Sequence, residues 1–322
     1  MLLKLIPDQT TIAFTRIRFA ALAFSALLVV GSLGALFTLG LNFGVDFKGG
    51  VTIEVADDEP IDIAEVRSVV SNLGLGSVDV QEIQDFAGAD KAVLIKVSQQ
   101  EVEDGDTEGA DNESIQFEAL AQVKQAVTEL LGDGVNFRKE DVVGPTVSGE
   151  LIQKGALAVA LAIGMMLIYI WLRFEWQFSL GAIVALIHDV IITLGMFSVT
   201  RLEFNLSIIA AILTIVGYSM NDTVVVYDRV RENLRKFKQK PLAELIDLSI
   251  NDTLTRTIMT SGTTMLALAA LAIFGGEVLR GFTLAMIWGV VIGTYSSIFV
   301  ASPFLLATDV KRDWSKVAPA GA

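Results

Sequence analysis

The sequence predicts a polytopic α-helical membrane protein with six transmembrane helices and one α+β domain outside the membrane. Of its 322 residues, 52% are hydrophobic and only 19% are charged. Apolar runs of about 18 residues or more with few charges are typical of transmembrane helices, and the chain contains six. The acidic residues are concentrated elsewhere, because segment 41–153 holds 24 of the 37 Asp and Glu but only 7 of the 24 Lys and Arg.

The first predicted span covers 19–40 and contains no charged residue. Arg16 and Arg18 precede it as in a signal peptide, but a cleavable signal has an apolar core of only about 7–15 residues, so we expect an uncleaved anchor. The other predicted spans are 155–172, 178–200, 204–226, 257–274 and 282–307. The predicted organisation is therefore an N-terminal segment 1–18, the first helix 19–40, an acidic domain 41–153, helices two to six within 154–307 with a loop at 227–256, and a tail 308–322.

The distribution of Lys and Arg predicts the orientation of the spans. Short cytoplasmic loops of membrane proteins carry an excess of these residues. Here they cluster before the first span, in 227–256 and after the last span, and with six spans these three segments lie on one side. We therefore expect both termini and the loop in the cytoplasm and the acidic domain in the periplasm. Trp171 and Trp176 near span ends fit the aromatic belt at a membrane surface.

Composition also argues against several classes of function. The net charge is −13, whereas a nucleic-acid-binding protein needs a cationic surface. Cysteine is absent and the single histidine has no partners at metal-ligand spacing, so we expect no disulfide and no metal site. A phosphate-binding loop is also missing, and we expect no cofactor.

The acidic segment has the periodicity of an α+β domain. Apolar residues alternate as in strands or recur at helical spacing in the order βαββαβ, which is typical of the ferredoxin-like unit. The predicted strands are 51–55, 78–86, 91–98 and 135–143, with helices at 62–73 and 114–131. Asp62 followed by Glu65 resembles a capping box. We expect a hairpin turn at 87–90 and a mobile acidic loop at 101–113. The apolar residues expected to face inward on the second helix are Phe117, Leu120, Val123, Val127 and Leu130. This fold hosts many unrelated functions.

Three ionisable residues fall inside predicted spans, where each costs about 2.5–3.5 kcal/mol on insertion scales. Asp222 lies in the fourth span, and His188 and Asp189 lie in the third. Asp222 is either a structural carboxylate bonded to a neighbouring helix or a carboxylate that binds and releases a proton on a transport path. Arg256, at the start of the fifth span, is the cation expected to pair with it, although an anchoring role would explain Arg256 equally well.

His188 and Asp189 allow two interpretations, a part in a proton path or a role as satisfied polar groups inside the bundle. Adjacent helix positions point about 100° apart, so we do not expect these two side chains to pair with each other. Small residues at Gly289 and Gly293 predict close helix packing. Packing is also predicted for Gly40 and Gly44, where a tight turn is the alternative.

Four motifs resemble the SecF family of bacterial protein-export subunits, within the resistance-nodulation-division superfamily. They are 41–50 (LNFGVDFKGG), 143–149 (VGPTVSG), 188–190 (HDV) and 217–233 (GYSMNDTVVVYDRVREN). The resemblance covers nearly the whole chain, and Lys48 stands where the family often has a small polar residue. The motif positions expected to be structural are Gly44, Asp46, Gly49, Gly50, Gly144, Pro145 and Gly217.

The resemblance implies a transport function rather than an enzymatic one. It implies a subunit of the bacterial inner membrane that pairs with SecD, associates with the SecYEG channel, and uses the proton-motive force to help preproteins across. It marks Asp222 and Arg256 as proton-path residues, and we add Asn221, His188 and Asp189 as further candidates. The hypothesis is that protonation of Asp222 moves the bundle and swings the outer domain about glycine-containing turns.

Three other functions remain open on the sequence. A six-span chain of this superfamily is also the expected half of an exporter for small molecules or lipids. A passive scaffold of the translocon would need no proton exchange. An intramembrane aspartyl protease would use Asp189 and Asp222 to activate water, although the Gly-x-Gly-Asp signature of such enzymes is missing.

Overall fold

The computed structural model describes residues 10–57, 60–84, 91–99, 111–132, 134–308 and 310. Along the chain the elements are α1 (Arg18–Leu39), β1 (Asn42–Phe43), α2 (Val45–Lys48), β2 (Gly50–Asp57), α3 (Ile63–Ser71), β3 (Gly76–Gln84), β4 (Lys91–Gln99), α4 (Asp111–Leu131), β5 (Asn136–Val143), α5 (Pro145–Arg173), α6 (Trp176–Thr200), β6 (Glu203–Phe204), α7 (Leu206–Lys236), α8 (Leu242–Phe274), α9 (Gly276–Ser296) and α10 (Ser302–Ala307). A π-helical turn, Ser297–Ala301, joins α9 to α10.

Six helical segments of the described chain are long and apolar enough to cross a membrane, which confirms the predicted number of spans. They are Phe14–Leu39, Val147–Arg173, Trp176–Thr200, Leu206–Lys236, Leu242–Phe274 and Leu279–Ala307. In the third, fourth and sixth spans, 50–61% of the most apolar stretch is buried inside the protein. In the first, second and fifth spans the buried share is only 6–11%. The bundle therefore has a centre of α6, α7 and α9, and α1, α5 and α8 lie at its periphery.

The segment between the first two spans forms the predicted ferredoxin-like α+β domain. Its four strands have the order β3-β4-β2-β5, and every neighbouring pair is antiparallel. Strand β4 lies between β2 and β3, so α3 connects two strands that are not neighbours, as in a split βαβ unit. α3 and α4 pack over the sheet around a core of valine and isoleucine side chains. The predicted N-cap is present, since the Asp62 carboxylate accepts from the backbone N–H of Ala64 at 2.8 Å.

The prediction that Phe117 belongs to the core of the domain is wrong. Phe117 is 59% exposed, whereas Val123 and Val127 on the same helix are fully buried. Gln116 is buried instead. Positions 116, 120, 123 and 127 are separated by three or four residues, so they lie on one face of the helix, and that face packs against the sheet. The predicted turn at 87–90 and nearly all of the predicted acidic loop at 101–113 lie outside the described residues.

Two predicted boundaries differ from the structure because polar residues continue a helix. α5 begins at Pro145, well before the expected span at 155, so the boundary placed at 153 falls inside one continuous helix. Proline at the first position, after Gly144 as N-cap, is a favourable way to begin a helix. The segment 227–256, predicted as a loop, is also mostly helical, and only 237–241 connect α7 to α8. Arg, Lys, Glu and Leu are good helix formers, so this charged stretch remains helical.

The domain and the bundle are joined next to the predicted glycine motif. β1 pairs in parallel with β6, so the chain after the first span lies beside the connection between α6 and α7. The Asp46 carboxylate accepts from the backbone N–H of Leu206 at 2.9 Å, at the start of α7. Lys96 on β4 forms an ion pair with Glu203 at 2.7 Å. Gly50 has φ +143, and a side chain there would collide with the backbone carbonyl of Val97, so only glycine fits this turn.

Candidate functional site

Asp222 lies inside the bundle, where α7 meets α8 and the sixth span. Its side chain is only 8% exposed. The Thr257 hydroxyl on α8 donates to Oδ1 at 2.6 Å, and the Ser297 hydroxyl in the π-turn donates to Oδ2. Among the described residues no Lys, Arg or His nitrogen lies within ion-pair distance of this carboxylate. Two hydroxyl groups from two other helices therefore hold a buried acid that has no direct counter-ion.

Asp222 and Arg256 do not form the expected ion pair by direct contact, although the Arg256 charge acts on the carboxylate across a longer distance. Arg256 is exposed at the surface of α8, and in the described part of the chain its guanidinium makes no ion pair or hydrogen bond with Asp222. Thr257 takes the position that faces α7, and a neighbouring helix residue points about 100° away from it. Asn221 is likewise exposed, on a different face of α7 from Asp222. Two predicted proton-path residues thus lie on the outer surface of this chain.

Asp189 is a second buried carboxylate, only 1% exposed. Its Oδ2 accepts from the hydroxyls of Ser219 on α7 at 2.5 Å and Ser296 on α9 at 2.7 Å. Its Oδ1 lies 2.8 Å from His188 Nδ1, so the expectation that these neighbours do not pair is wrong. The two side chains leave the helix in different directions, but both are long enough for the imidazole edge to reach the carboxylate.

His188 is itself enclosed, with 5% of its side chain exposed. Its ring stacks on Tyr295 with centroids 6.2 Å apart. The second ring nitrogen, Nε2, is buried and has no hydrogen-bond partner among the described residues. Tyr295 in turn donates to the Ala21 carbonyl of α1 at 2.8 Å. The sixth span therefore connects the peripheral helix α1 to the buried acid on α6.

The π-turn of the sixth span has an identifiable cause and specific partners. Pro303 lies in the first turn of α10 and has no backbone N–H, so the regular hydrogen-bond ladder cannot continue through this point. The Ser297 carbonyl accepts from the Ser302 hydroxyl at 2.8 Å. The Ala301 carbonyl accepts from the fully buried Tyr227 hydroxyl at 2.9 Å. Side chains thus satisfy the carbonyls of an irregular turn of a kind that is frequent at functional sites.

The glycines that the sequence singled out have three kinds of surroundings. A side chain at Gly289 would collide with Ile215, and a Cβ at Gly293 would lie 2.9 Å from that of Ser219, so the predicted close packing of α9 on α7 is confirmed. Gly40 caps the end of α1 with φ +64, and Gly44 is the N-cap of α2, so the alternative of tight turns applies to this pair. Gly217 has open space where a Cβ would be.

Sequence reasoning identified the two buried acids but not their hydroxyl partners. Ser219, Thr257, Ser296 and Ser297 look ordinary in an apolar run, because serine and threonine are common in transmembrane helices and often face a neighbouring helix. The only available signal was the adjacent serine pair in the sixth span. In the part of the chain that the structure describes, no three His, Asp or Glu side chains are grouped as metal ligands.

Six apolar helices around buried carboxylates, with one α+β domain outside, define a multi-span membrane transport protein. Residues 122–311 match the family profile described as protein export membrane protein SecD/SecF, C-terminal, and residues 34–56 match the SecD/SecF GG motif. The protein translocase subunit SecF of Cereibacter sphaeroides is 44% identical over 316 residues, covering 98% of this chain and 94% of that protein. SecF of Rickettsia bellii is 42% identical over 303 residues, covering 94% of this chain and 95% of the relative.

Solved structures agree with these sequence matches. SecDF from Thermus thermophilus, described as a translocon-associated membrane protein, superposes with a TM-score of 0.77 at 33% identity. The match covers 95% of this chain and 40% of that one. A SecDF structure in a super-membrane-facing form gives a TM-score of 0.67 at 33% identity and covers 99% of this chain and 41% of the other. This chain belongs to the SecF family of protein translocase subunits. It is a transport protein and not an enzyme, so the aspartyl protease interpretation is wrong.

Proposed function

We propose that this chain pairs with SecD and uses the proton-motive force to assist preprotein translocation through the SecYEG channel of the bacterial inner membrane. The exporter of small molecules or lipids is the weaker alternative, because the relatives are protein translocase subunits. Both termini would be cytoplasmic and the α+β domain periplasmic. The observation that supports the use of the proton-motive force is the environment of Asp222. This buried carboxylate accepts hydrogen bonds from two hydroxyls and forms no ion pair with a cation among the described residues.

Hydroxyl partners suit an acid that changes its protonation state. A hydroxyl donates to a charged carboxylate and, after rotating its hydrogen, accepts from the same group when it is protonated. Thr257 and Ser297 belong to two different spans, and their hydrogen bonds to Asp222 hold α7 to both of them. Each gain or loss of a proton by Asp222 therefore changes a hydrogen bond between α7 and a neighbouring span. One charge moving through about 100 mV supplies about 2.3 kcal/mol. Conformers often differ by only a few kcal/mol, so this energy is enough to shift their populations.

The junction between bundle and domain offers a route from Asp222 to the emerging preprotein. Asp46 is bonded to the first residue of α7, and β6, just before α7, pairs with β1. Lys96 ties the sheet to the same connection through Glu203. A shift of α7 against α8 and the sixth span would therefore pull directly on the domain. The turns at Gly49, Gly50 and Gly144 with Pro145 are the hinges we propose.

The exposed polar residues support a partner subunit at the periphery. Asn221 and Arg256 are exposed on α7 and α8, two helices that are long and apolar enough to cross a membrane. An arginine facing lipid inside a bilayer is costly, so we propose that SecD covers this surface and completes the proton path there. Because the chain matches only about two fifths of the SecDF chains, a companion of SecD type would account for the remainder.

The test is Asp222→Asn, which keeps the size and hydrogen-bonding capacity of the side chain but removes proton exchange. Export driven by the proton gradient should be lost while the abundance of the complex stays normal. Glu244→Gln is the matched control, because it also neutralises one acid but lies exposed in the first turn of α8. Normal gradient-dependent export in Asp222→Asn would leave only the passive scaffold.

A further inference from the structure

A polar cavity of about 580 Å³ opens at the end of the bundle where α5 finishes and α7 continues beyond the apolar core. It is lined by Arg173, Asp228, Arg231, Glu232, Arg235 and Lys236. We propose that this cavity, the basic pocket, binds the phosphate group of an anionic phospholipid. The proposal is independent of proton exchange at Asp222.

The charges of the basic pocket favour an anion. Four of its six lining residues are Lys or Arg and two are acids. Both acids already have partners, since Arg173 donates to the two oxygens of Asp228 at 3.1 and 3.0 Å. Glu232 accepts at 2.7 Å from Arg229, which does not line the pocket. The six lining residues by themselves therefore carry a net charge of +2.

Arg231 carries the strongest evidence for a ligand. Its side chain is only 19% exposed, and its ion pair with Asp228 has a length of 3.7 Å, longer than a hydrogen bond. Its Nε is shielded from solvent and has no hydrogen-bond partner among the described residues. The Phe174 ring lies 5.4 Å from the guanidinium carbon and supports the group from one side. A guanidinium fork suits the oxygens of a phosphate, so this arginine has donor capacity to spare.

The position of the pocket favours a lipid as the carrier of the phosphate. α5 ends at Arg173 and α6 begins at Trp176, so the turn between them lies at one face of the membrane. Trp171, Leu172 and Trp176 are 58%, 81% and 54% exposed beside it. Exposed tryptophans are typical of the headgroup level of a bilayer. Basic pockets between transmembrane helices at that level bind anionic headgroups.

The experiment measures lipid retention by the purified full chain in neutral detergent, using native mass spectrometry. The probes are phosphatidylglycerol, zwitterionic phosphatidylcholine and inorganic phosphate. We expect the wild type to prefer phosphatidylglycerol. Arg231→Gln should weaken its binding about tenfold or more, the loss expected for one hydrogen bond to a charged group. Lys236→Gln should weaken it less, and Lys240→Gln, a basic side chain outside the pocket, should leave it unchanged.

Three results would overturn the proposal. Equal retention of the two lipids would mean that no anionic site exists, and an equal loss in Lys240→Gln and Arg231→Gln would mean that binding follows net charge alone. Inorganic phosphate binding as tightly as phosphatidylglycerol would make the pocket a site for soluble anions instead. Because Arg231→Gln removes a mostly buried group, the thermal unfolding of this variant is measured in parallel. Lys236 is exposed, so Lys236→Gln tests the same pocket without disturbing the core.

Discussion

Ser296 and Ser297 are neighbours in the sixth span, and their hydroxyls donate to two different buried acids, Asp189 on α6 and Asp222 on α7. Consecutive helix residues point about 100° apart, which lets one short segment reach both carboxylates. The π-turn begins at the second serine. A change of protonation at either acid therefore acts on the same irregular piece of backbone.

We predict that His188 carries its proton on Nδ1. Nδ1 lies 2.8 Å from the Asp189 carboxylate, which already accepts from Ser219 and Ser296, whereas Nε2 has no partner among the described residues. Nitrogen-15 NMR of histidine-labelled protein checks this without ambiguity, because the chain contains one histidine. Asp189→Asn should change the signal. An Nε2-protonated ring in the wild type would mean that Asp189 holds the proton and donates to His188.

Thr257→Val should impair gradient-driven export and lower stability. Valine has nearly the same shape as threonine, but it leaves Oδ1 of Asp222 without its donor. An unsatisfied buried acceptor costs about 1–3 kcal/mol. Thr255→Val is the matched control, since Thr255 is exposed on the same helix. Thermal unfolding and an export assay measure the two effects, and equal behaviour of the two variants would show that Thr257 does not support Asp222.

Gly289→Val should destabilise the bundle by about 1–3 kcal/mol, the usual cost of inserting atoms into a packed core. A side chain at Gly289 would collide with Ile215 across the α7–α9 contact. The control is Gly262→Ala on α8, where the added Cβ would have no other atom within 4 Å. This variant should leave the unfolding temperature unchanged or raise it. If both variants unfolded at the wild-type temperature, α9 would have to pack more loosely on α7 than described.

Lys96 and Glu203 should couple the domain to the bundle by roughly 1 kcal/mol in a double-mutant cycle. Their side chains are 17% and 22% exposed, so the 2.7 Å pair is screened less than a surface ion pair. Lys96→Glu or Glu203→Lys alone places like charges together and should loosen the junction. The combined exchange should restore thermal stability and protease resistance of the domain. Additive effects of the two single changes would argue against a contact between these residues.

The pattern of apolar runs and alternating residues was enough to predict the six helices and the order of elements in the outer domain. These features depend on the local periodicity of apolar residues and on whether a segment faces water or lipid. Both properties can be read from the order of neighbouring residues in the sequence. The same logic failed at Phe117, because a shift of one position on α4 places Gln116 on the buried face. It also failed at 227–256, where charge suggested a loop but the residues favour helix.

The apolar runs around Asp222 and Asp189 were sufficient to predict that both acids lie within transmembrane helices. The side chains that surround these acids became known from the packing of the helices. Arg256 is exposed, whereas Thr257 faces the interior and donates a hydrogen bond to Asp222. His188 lies within hydrogen-bond distance of Asp189. Such contacts join residues on different helices or depend on side-chain torsions, and they follow from the way the helices rotate and pack together. No local pattern along the chain specifies that rotation.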